Sequence, residues 1–277
     1  MTRSQRTRLL SGLVILTLLL VFVEGCKDTV DPAEPPIELF FSAPTELGTP
    51  TDATPTDDIL IRRFQYAMSY NPVLNVANWV SWNEDSAWYG PAQRQSSFVH
   101  DDALPAGCTR ILDSYYTGSG YDRGHIVGSE CRTRSDSDNK ATFFFSNVFP
   151  QTPDLNRETW YSLERYCDSL SKEANKTLYV IAGGVYSTKK RLKNVVTIPD
   201  SCWKVVVVME RGSRLWRISK QTRVIAVMMN NGTYTTADNH WERYRTTVRN
   251  IERQTGYDLL SAVPQDIQDV IETTIRE

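Results

Sequence analysis

Tyr121-Asp122-Arg123-Gly124-His125 follows the turn-rich run Thr117-Gly118-Ser119-Gly120 and sets one of only three histidines in the chain beside an arginine and a glycine. Gly124 lets backbone approach a ligand. Arg123 offers a bidentate grip on a phosphate or carboxylate. An imidazole with an ordinary pKa near 6.5 takes a proton from water around neutrality. Alone, such a histidine is as readily structural as catalytic. Support comes 31 positions later, at Asn156 in Asp154-Leu155-Asn156-Arg157, which falls on the helical stripe of Trp160, Leu163 and Cys167. On that stripe the amide faces the apolar side of its helix, where an unpaired polar group costs about 1–3 kcal/mol. Two partners would satisfy it: the helix N-terminus, with Asn156 as a cap, or a hard cation such as Mg²⁺ on the amide oxygen. Glu164 lies about 80° around the helix from Asn156 and reaches the same centre, or else is a solvated flank.

Outward from this stretch, the chain has 277 residues, 40% of them hydrophobic, with 31 basic and 33 acidic side chains. Fibrous and disordered classes are excluded, and a net charge of −2 gives no global field to attract a polyanion. Arg3, Arg6 and Arg8 precede the apolar stretch Leu9–Val23, which is 15 residues long and ends at Glu24-Gly25-Cys26. That is signal-peptide length, short of the roughly 20 residues of a membrane span. A small residue followed by Cys resembles a bacterial lipobox, so residues 1–25 are expected to be removed and Cys26 to carry a lipid. The expected location is then an exported lipoprotein in the periplasm or at the cell surface, or otherwise a secreted protein. Without residues 1–25 the balance is 28 basic to 32 acidic, a net −4.

Residues 27–58 hold six prolines and eight acidic residues against one lysine. This composition reads as a tether, residues 26–58, with the folded domain over 59–277. Export implies an oxidising compartment, where Cys108, Cys131, Cys167 and Cys202 are expected in disulfides in any of three pairings. No C-x-x-C or H-E-x-x-H spacing supports zinc.

Apolar, β-branched runs predict strands at 143–148, 178–182, 203–209 and 224–229. Helices are expected from Asn156 to Lys172 behind Pro153-Asp154, along Tyr244, Val248 and Ile251 up to Gly256, and after Pro264 along Ile267, Val270, Ile271 and Ile275. Mixed order favours an α+β fold.

These motifs together resemble the DNA/RNA non-specific endonucleases, ββα-metal nucleases that include mitochondrial endonuclease G. The resemblance rests on Tyr121–His125, Ser146-Asn147-Val148-Phe149-Pro150-Gln151, Asp154–Arg157, Trp160 and Leu163-Glu164. Further landmarks extend it over roughly residues 79–264: Arg94 before Phe98, Gly183-Gly184, Ile198-Pro199, Trp203-Lys204-Val205, and Ile251-Glu252 before Thr255-Gly256.

The resemblance implies a central antiparallel sheet flanked by helices. His125 matches the general base, Asn156 the direct ligand of Mg²⁺ (Mn²⁺ as a substitute), and Glu164 an acidic residue that fixes metal-bound water. Arg123 and Arg94 match phosphate-binding arginines, with Arg157 a further local attraction for the strand. Asp122 would orient the site, and Gln151 would support the metal-bearing helix. The implied activity is hydrolysis of DNA and RNA to 5′-phosphate products through contacts to backbone phosphate. Two departures stand out: Ile126-Val127-Gly128-Ser129-Glu130-Cys131 follows the histidine in place of Ala-Pro and small residues, and Asp168 occupies the place of a family arginine. They leave one alternative, a lipoprotein that binds nucleic acid on this scaffold with little or no catalysis.

Overall fold

Seven strands build one sheet in the computed structural model, which describes residues 44–188, 190–235 and 239–276. In chain order the strands are β1 (Ile59–Arg62), β2 (Ala67–Asn71), β3 (Val76–Glu84), β4 (Asp122–His125), β5 (Val148–Gln151), β6 (Lys176–Val185), β7 (Arg191–Leu192), β8 (Val196–Thr197), β9 (Ser201–Glu210), β10 (Arg223–Asn230) and β11 (Arg245–Thr246). The large sheet runs β1-β2-β3-β6-β9-β10-β11 with every neighbouring pair antiparallel. Two small ribbons, β4-β5 and β7-β8, stand apart from it. The helices are α1 (Asp113–Tyr116), α2 (Asp136–Thr142), α3 (Trp160–Lys172), α4 (Val248–Thr255) and α5 (Gln265–Ile271). The expected α+β class holds.

Helices cover the sheet on both faces, so its central strands are apolar nearly throughout. Leu178, Val180 and Val206 point to a core shared with Trp160, Leu163 and Cys167 of α3. Tyr179, Ile181, Val205 and Val207 point to a second core shared with Val248 and Ile251 of α4 and Ile271 of α5. This is the period of two of a strand. Each large side chain so buried contributes about 1.5–3 kcal/mol, and α3 is held by that apolar face more than by intrinsic propensity. Gly183 pairs with Trp79 on one side and Trp203 on the other. A Cβ there would lie 2.3 Å from the Asn78 carbonyl and 2.7 Å from the Trp203 ring, so only glycine lets the two tryptophans flank the strand.

Five expectations are corrected. Residues 143–148 are no strand: Phe143 caps α2, a 3-10 turn covers Phe145–Asn147, and β5 begins at Val148. The run is apolar because it is buried, not because it joins a ladder. The helix expected from Tyr244 begins only at Val248, capped by the Thr247 side chain, and ends at Gly256 with φ +84°. Ile275 lies beyond α5 and is exposed.

The composition break at 58 is not the edge of the packed body. Leu47 is buried, its carbonyl accepts from Ala262, Arg62 donates to Thr45, and the Tyr257 hydroxyl donates to Asp58 at 2.9 Å. Acidic and proline residues take part in this packing: Pro50 is buried, and Glu46, 10% exposed, pairs with Arg214 at 2.8 Å. Finally, Cys108, Cys131, Cys167 and Cys202 are free thiols. The Cys131 thiol donates to the Gly128 carbonyl at 3.2 Å, while Cys167 belongs to α3 and Cys202 to β9. Residues 1–25, Cys26 and the tether up to residue 43 lie outside the described residues.

Candidate active site

A cavity of about 400 Å³ lies over the sheet, walled by β4, by α3 and the turn before it, and by residues 128–131. Arg94, Arg123, His125, Asn156, Arg157 and Glu164 all line it. On β4, Arg123 and His125 alternate with Asp122 and Gly124, so strand geometry sends the arginine and the histidine to one side. Gly124 faces Gln151 across the β4-β5 ribbon, and a Cβ at 124 would overlap the buried Gln151 side chain. The Gln151 side chain thus fills the space beneath the histidine strand, a place different from the support of the metal-bearing helix that the resemblance implies.

His125 is 8% exposed, between the rings of Phe98 at 4.9 Å and Phe143 at 4.8 Å. Burial, and next the charge of Arg94, lowers its pKa to about 3. The imidazole is therefore neutral and able to accept a proton, and among the described residues its Nε2 has no hydrogen-bond partner.

Asn156 does not cap a helix. It lies inside a π turn, Leu155–Thr159, that leads directly into α3, where the Trp160 N–H donates to the Leu155 carbonyl five residues back. The wider turn shifts Asn156 off the apolar stripe and into the cavity wall. Its Nδ2 donates to Asp122 at 2.9 Å. Asp122 also holds Arg157 through two bonds of 2.7 Å. Burial of Asp122 opposes ionisation, but the bonds from Arg157 and Asn156 outweigh it and leave the pKa lowered. Asp122 thus ties Asn156 to Arg157, two of whose nitrogens are committed to it.

The other arginines are also braced. Arg123 pairs with Asp113 of α1 at 2.6 Å, and the Arg94 guanidinium donates to Ser129 and lies 4.0 Å from Glu130. The run after His125 that departs from the family pattern supplies much of this wall. Ile126 and Val127 are buried in the core, Gly128 leaves room for Glu164, and Ser129 and Glu130 meet Arg94.

The inner end of the cavity is acidic. Burial pushes Glu164 up to about 7, against the pull of Lys204, whose ammonium is 3.6 Å away. Asp168 is pushed up to about 6 by burial and then by Glu84. The Tyr89 hydroxyl sits between those two carboxylates, 2.9 Å from Glu84 and 3.0 Å from Asp168. That hydroxyl can donate to only one of them at a time, and the Ser171 hydroxyl, 3.1 Å from Glu84, supplies a second donor. Lys204 is 2% exposed and stands 4.2 Å from the centre of the Trp160 ring.

Sequence reasoning missed Asp113, Ser129 and Glu84 in this site and gave Lys204 no role. Lys204 did carry a signal, a lone charge in the apolar run 203–209. Among the described residues, the one trio of carboxylates close enough to hold a metal, Asp52, Asp57 and Asp58, lies outside this cavity.

A family model described as DNA/RNA non-specific endonuclease matches residues 43–266. The chain is 44% identical over 271 residues to a protein named Nuclease from Nostoc sp., covering 95% of this chain and 98% of the relative. It is 29% identical over 166 residues to mitochondrial endonuclease G of Bos taurus, covering 55% of each. A crystal structure of an EndoG/EndoGI complex shares the fold with a TM-score of 0.68, at 21% identity, over 83% of this chain and 93% of the other.

Proposed function

The chain belongs to the DNA/RNA non-specific endonuclease family and is a nuclease of the ββα-metal fold, and on that premise we propose that it hydrolyses phosphodiester bonds in both DNA and RNA, with Mg²⁺, to 5′-phosphate products. The observation that carries this reading is the convergence of His125, Asn156, Glu164 and the arginines on one cavity. No observation favours the inactive alternative, since base, amide and acid are all present there.

The donor set fits a hard divalent cation. Asp122 takes the Asn156 amide nitrogen, and no described donor reaches the amide oxygen. Glu164 Oε1 lies in the same cavity, with the Lys204 ammonium 3.6 Å away as its ion-pair partner. Asn156 would hold the ion directly and Glu164 would hold its water; Mn²⁺ meets the same ligands. A bound Mg²⁺ supplies Lewis acidity that neutralises charge on the phosphate and on the departing 3′ oxygen. Neutral His125 accepts the proton of the attacking water, and a phosphate seated among the arginines offsets the Arg94 charge, raising the imidazole pKa as it does so. Arg94 and Arg123 stabilise the added negative charge of the transition state. Because these contacts reach phosphate and not base edges, DNA and RNA are accepted alike.

Purified residues 27–277 incubated with plasmid and with RNA in Mg²⁺ are expected to degrade both, and EDTA to stop both. Cleavage undiminished in EDTA would refute metal dependence. The pH dependence is expected to follow Glu164. Its carboxylate must be charged to hold metal-bound water, so activity falls as pH drops below about 7, while in the substrate-free protein His125 stays neutral throughout that range. A cation favours the carboxylate, so more Mg²⁺ moves this acid limb to lower pH. Rate profiles at two Mg²⁺ concentrations check it; a limb fixed in position would belong to another group.

We also propose export and lipid anchoring at Cys26, supported by Arg3, Arg6, Arg8 and the stretch Leu9–Val23. Burial of Cys131, Cys167 and Cys202 would shield three thiols in such a compartment.

A further inference from the structure

The described chain begins at Pro44 and is tied at once to the loop 211–222 that joins β9 to β10. Glu46 accepts there from the Arg214 guanidinium at 2.8 Å and from the Leu215 N–H at 3.1 Å. Within the loop, a 3-10 turn at Leu215–Arg217 sets Leu215 and Ile218 on the side that packs into the core of α4 and α5. Trp216 and Arg217 are turned outward. Trp216 is 70% exposed, the highest value among the large apolar side chains described, and the Arg217 guanidinium lies 4.8 Å from the centre of its ring. Ile275, 53% exposed, is brought to the same loop by Arg276, which donates to the Lys220 carbonyl.

Charge in the loop is one-sided. Residues 211–222 hold Arg211, Arg214, Arg217 and Lys220 and no acidic residue. Carboxylates from elsewhere are already engaged: Glu46 with Arg214, Asp266 with Lys220 at 3.0 Å, and the buried Asp85 in the field of Arg211. Among the described residues no carboxylate pairs with Arg217.

An exposed indole beside a cation suits the boundary of a bilayer, with the ring at headgroup level and the cation on anionic headgroups. Cys26 is separated from Pro44 by the residues 26–43, and 18 residues span at most about 60 Å. A lipid on Cys26 would hold the loop within about that distance of a membrane, where even a weak contact acts as an intramolecular one. The catalytic cavity draws Trp82, Cys167 and Val180 from the core on the other face of the sheet. Resting on the anchor reading of Cys26, we propose that Trp216, Arg217 and Ile275 form a second contact with the bilayer, one that binds anionic headgroups and leaves the cavity's face of the sheet free for a polymer.

The test sediments the chain 26–277, carrying Cys26→Ser so that no lipid contributes, with phosphatidylcholine vesicles and with vesicles about one-third phosphatidylglycerol. Only the anionic vesicles are expected to bind it. Arg217→Glu should weaken that binding more than tenfold, by removing an attraction worth about fivefold and adding a repulsion of similar size. Trp216→Ser should weaken it about tenfold. Both variants should cleave plasmid within twofold of the unsubstituted chain. No binding, equal binding to both vesicles, or binding indifferent to both substitutions would overturn the contact. Trp216-dependent self-association, or Arg217-dependent binding of duplex DNA by His125→Ala, in place of vesicle binding would overturn it too. The mass of the N-terminal peptide from the exported full chain tests the anchor separately. An acylated Cys26 without vesicle binding by the Cys26→Ser chain keeps the anchor and sinks the contact; Trp216-dependent vesicle binding with Cys26 unmodified does the reverse.

Discussion

His125→Ala is expected to lower kcat on plasmid by at least about 100-fold, the least that loss of a positioned general base costs. Its neutral imidazole between Phe98 and Phe143 has Nε2 unpartnered and lines the cavity with Asn156. Cleavage by the folded variant within a few-fold of wild type would remove His125 from the mechanism. Burial also gives this residue a signature in stability. An unfolded chain protonates the histidine as pH falls through about 6.5, whereas the folded chain resists until about 3. The native state therefore binds fewer protons between those values and loses stability as pH falls through that window, with no penalty above it. At pH 5 the penalty is about 2 kcal/mol. Urea unfolding at pH 7 and pH 5 should show a smaller acid-induced loss for His125→Ala than for wild type; equal losses would mean that His125 is protonated in the native protein.

Asn156→Ala is expected to raise the Mg²⁺ concentration for half-maximal activity more than tenfold, or to abolish activity. Its amide oxygen is the one uncharged donor of the proposed ion site, so its removal acts on the ion before it acts on the fold. The stability cost should be modest, because among the described residues the side chain makes one hydrogen bond, to the charged Asp122, worth about 1.5–3 kcal/mol. A Mg²⁺ titration and a melting curve on the same preparation separate the two roles. A lowered melting temperature with unchanged Mg²⁺ dependence would make Asn156 a structural tie for Asp122 and nothing more.

These residues were readable in advance because their geometry is local. Asp122, Arg123 and His125 occupy one four-residue strand, and Asn156 and Glu164 lie on one continuous helical segment, so sequence spacing is already spatial spacing. Glu84 and Lys204 arrive from β3 and β9, and only sheet register brings them to the same cavity. Strands β2 and β3 escaped notice because polar residues interrupt their apolar pattern: Ser69, Asn71, Asn78, Ser81 and Asn83 are all buried. Their polar groups are satisfied by one another and by neighbours, as where Asn78 donates to Asp58 at 3.1 Å and Asn83 accepts from the Trp88 indole at 2.9 Å. Such pairings cannot be known before the chain is folded. The misread run at 143–148 shows the converse, since burial alone makes a sequence look like a strand.

The turn at Leu155–Thr159 makes this protein sensitive to length as well as to composition. It holds one residue more than an α-helical turn would need. Loss of a single codon there would let the helix close into ordinary register and swing Asn156 about 100° around the axis relative to Glu164. Every catalytic residue type would survive in the gene, and the alignment would show only a one-residue gap, yet the two ligands would face apart. Inheritance at this turn is therefore expected to reject insertions and deletions even where Asn156 itself is kept.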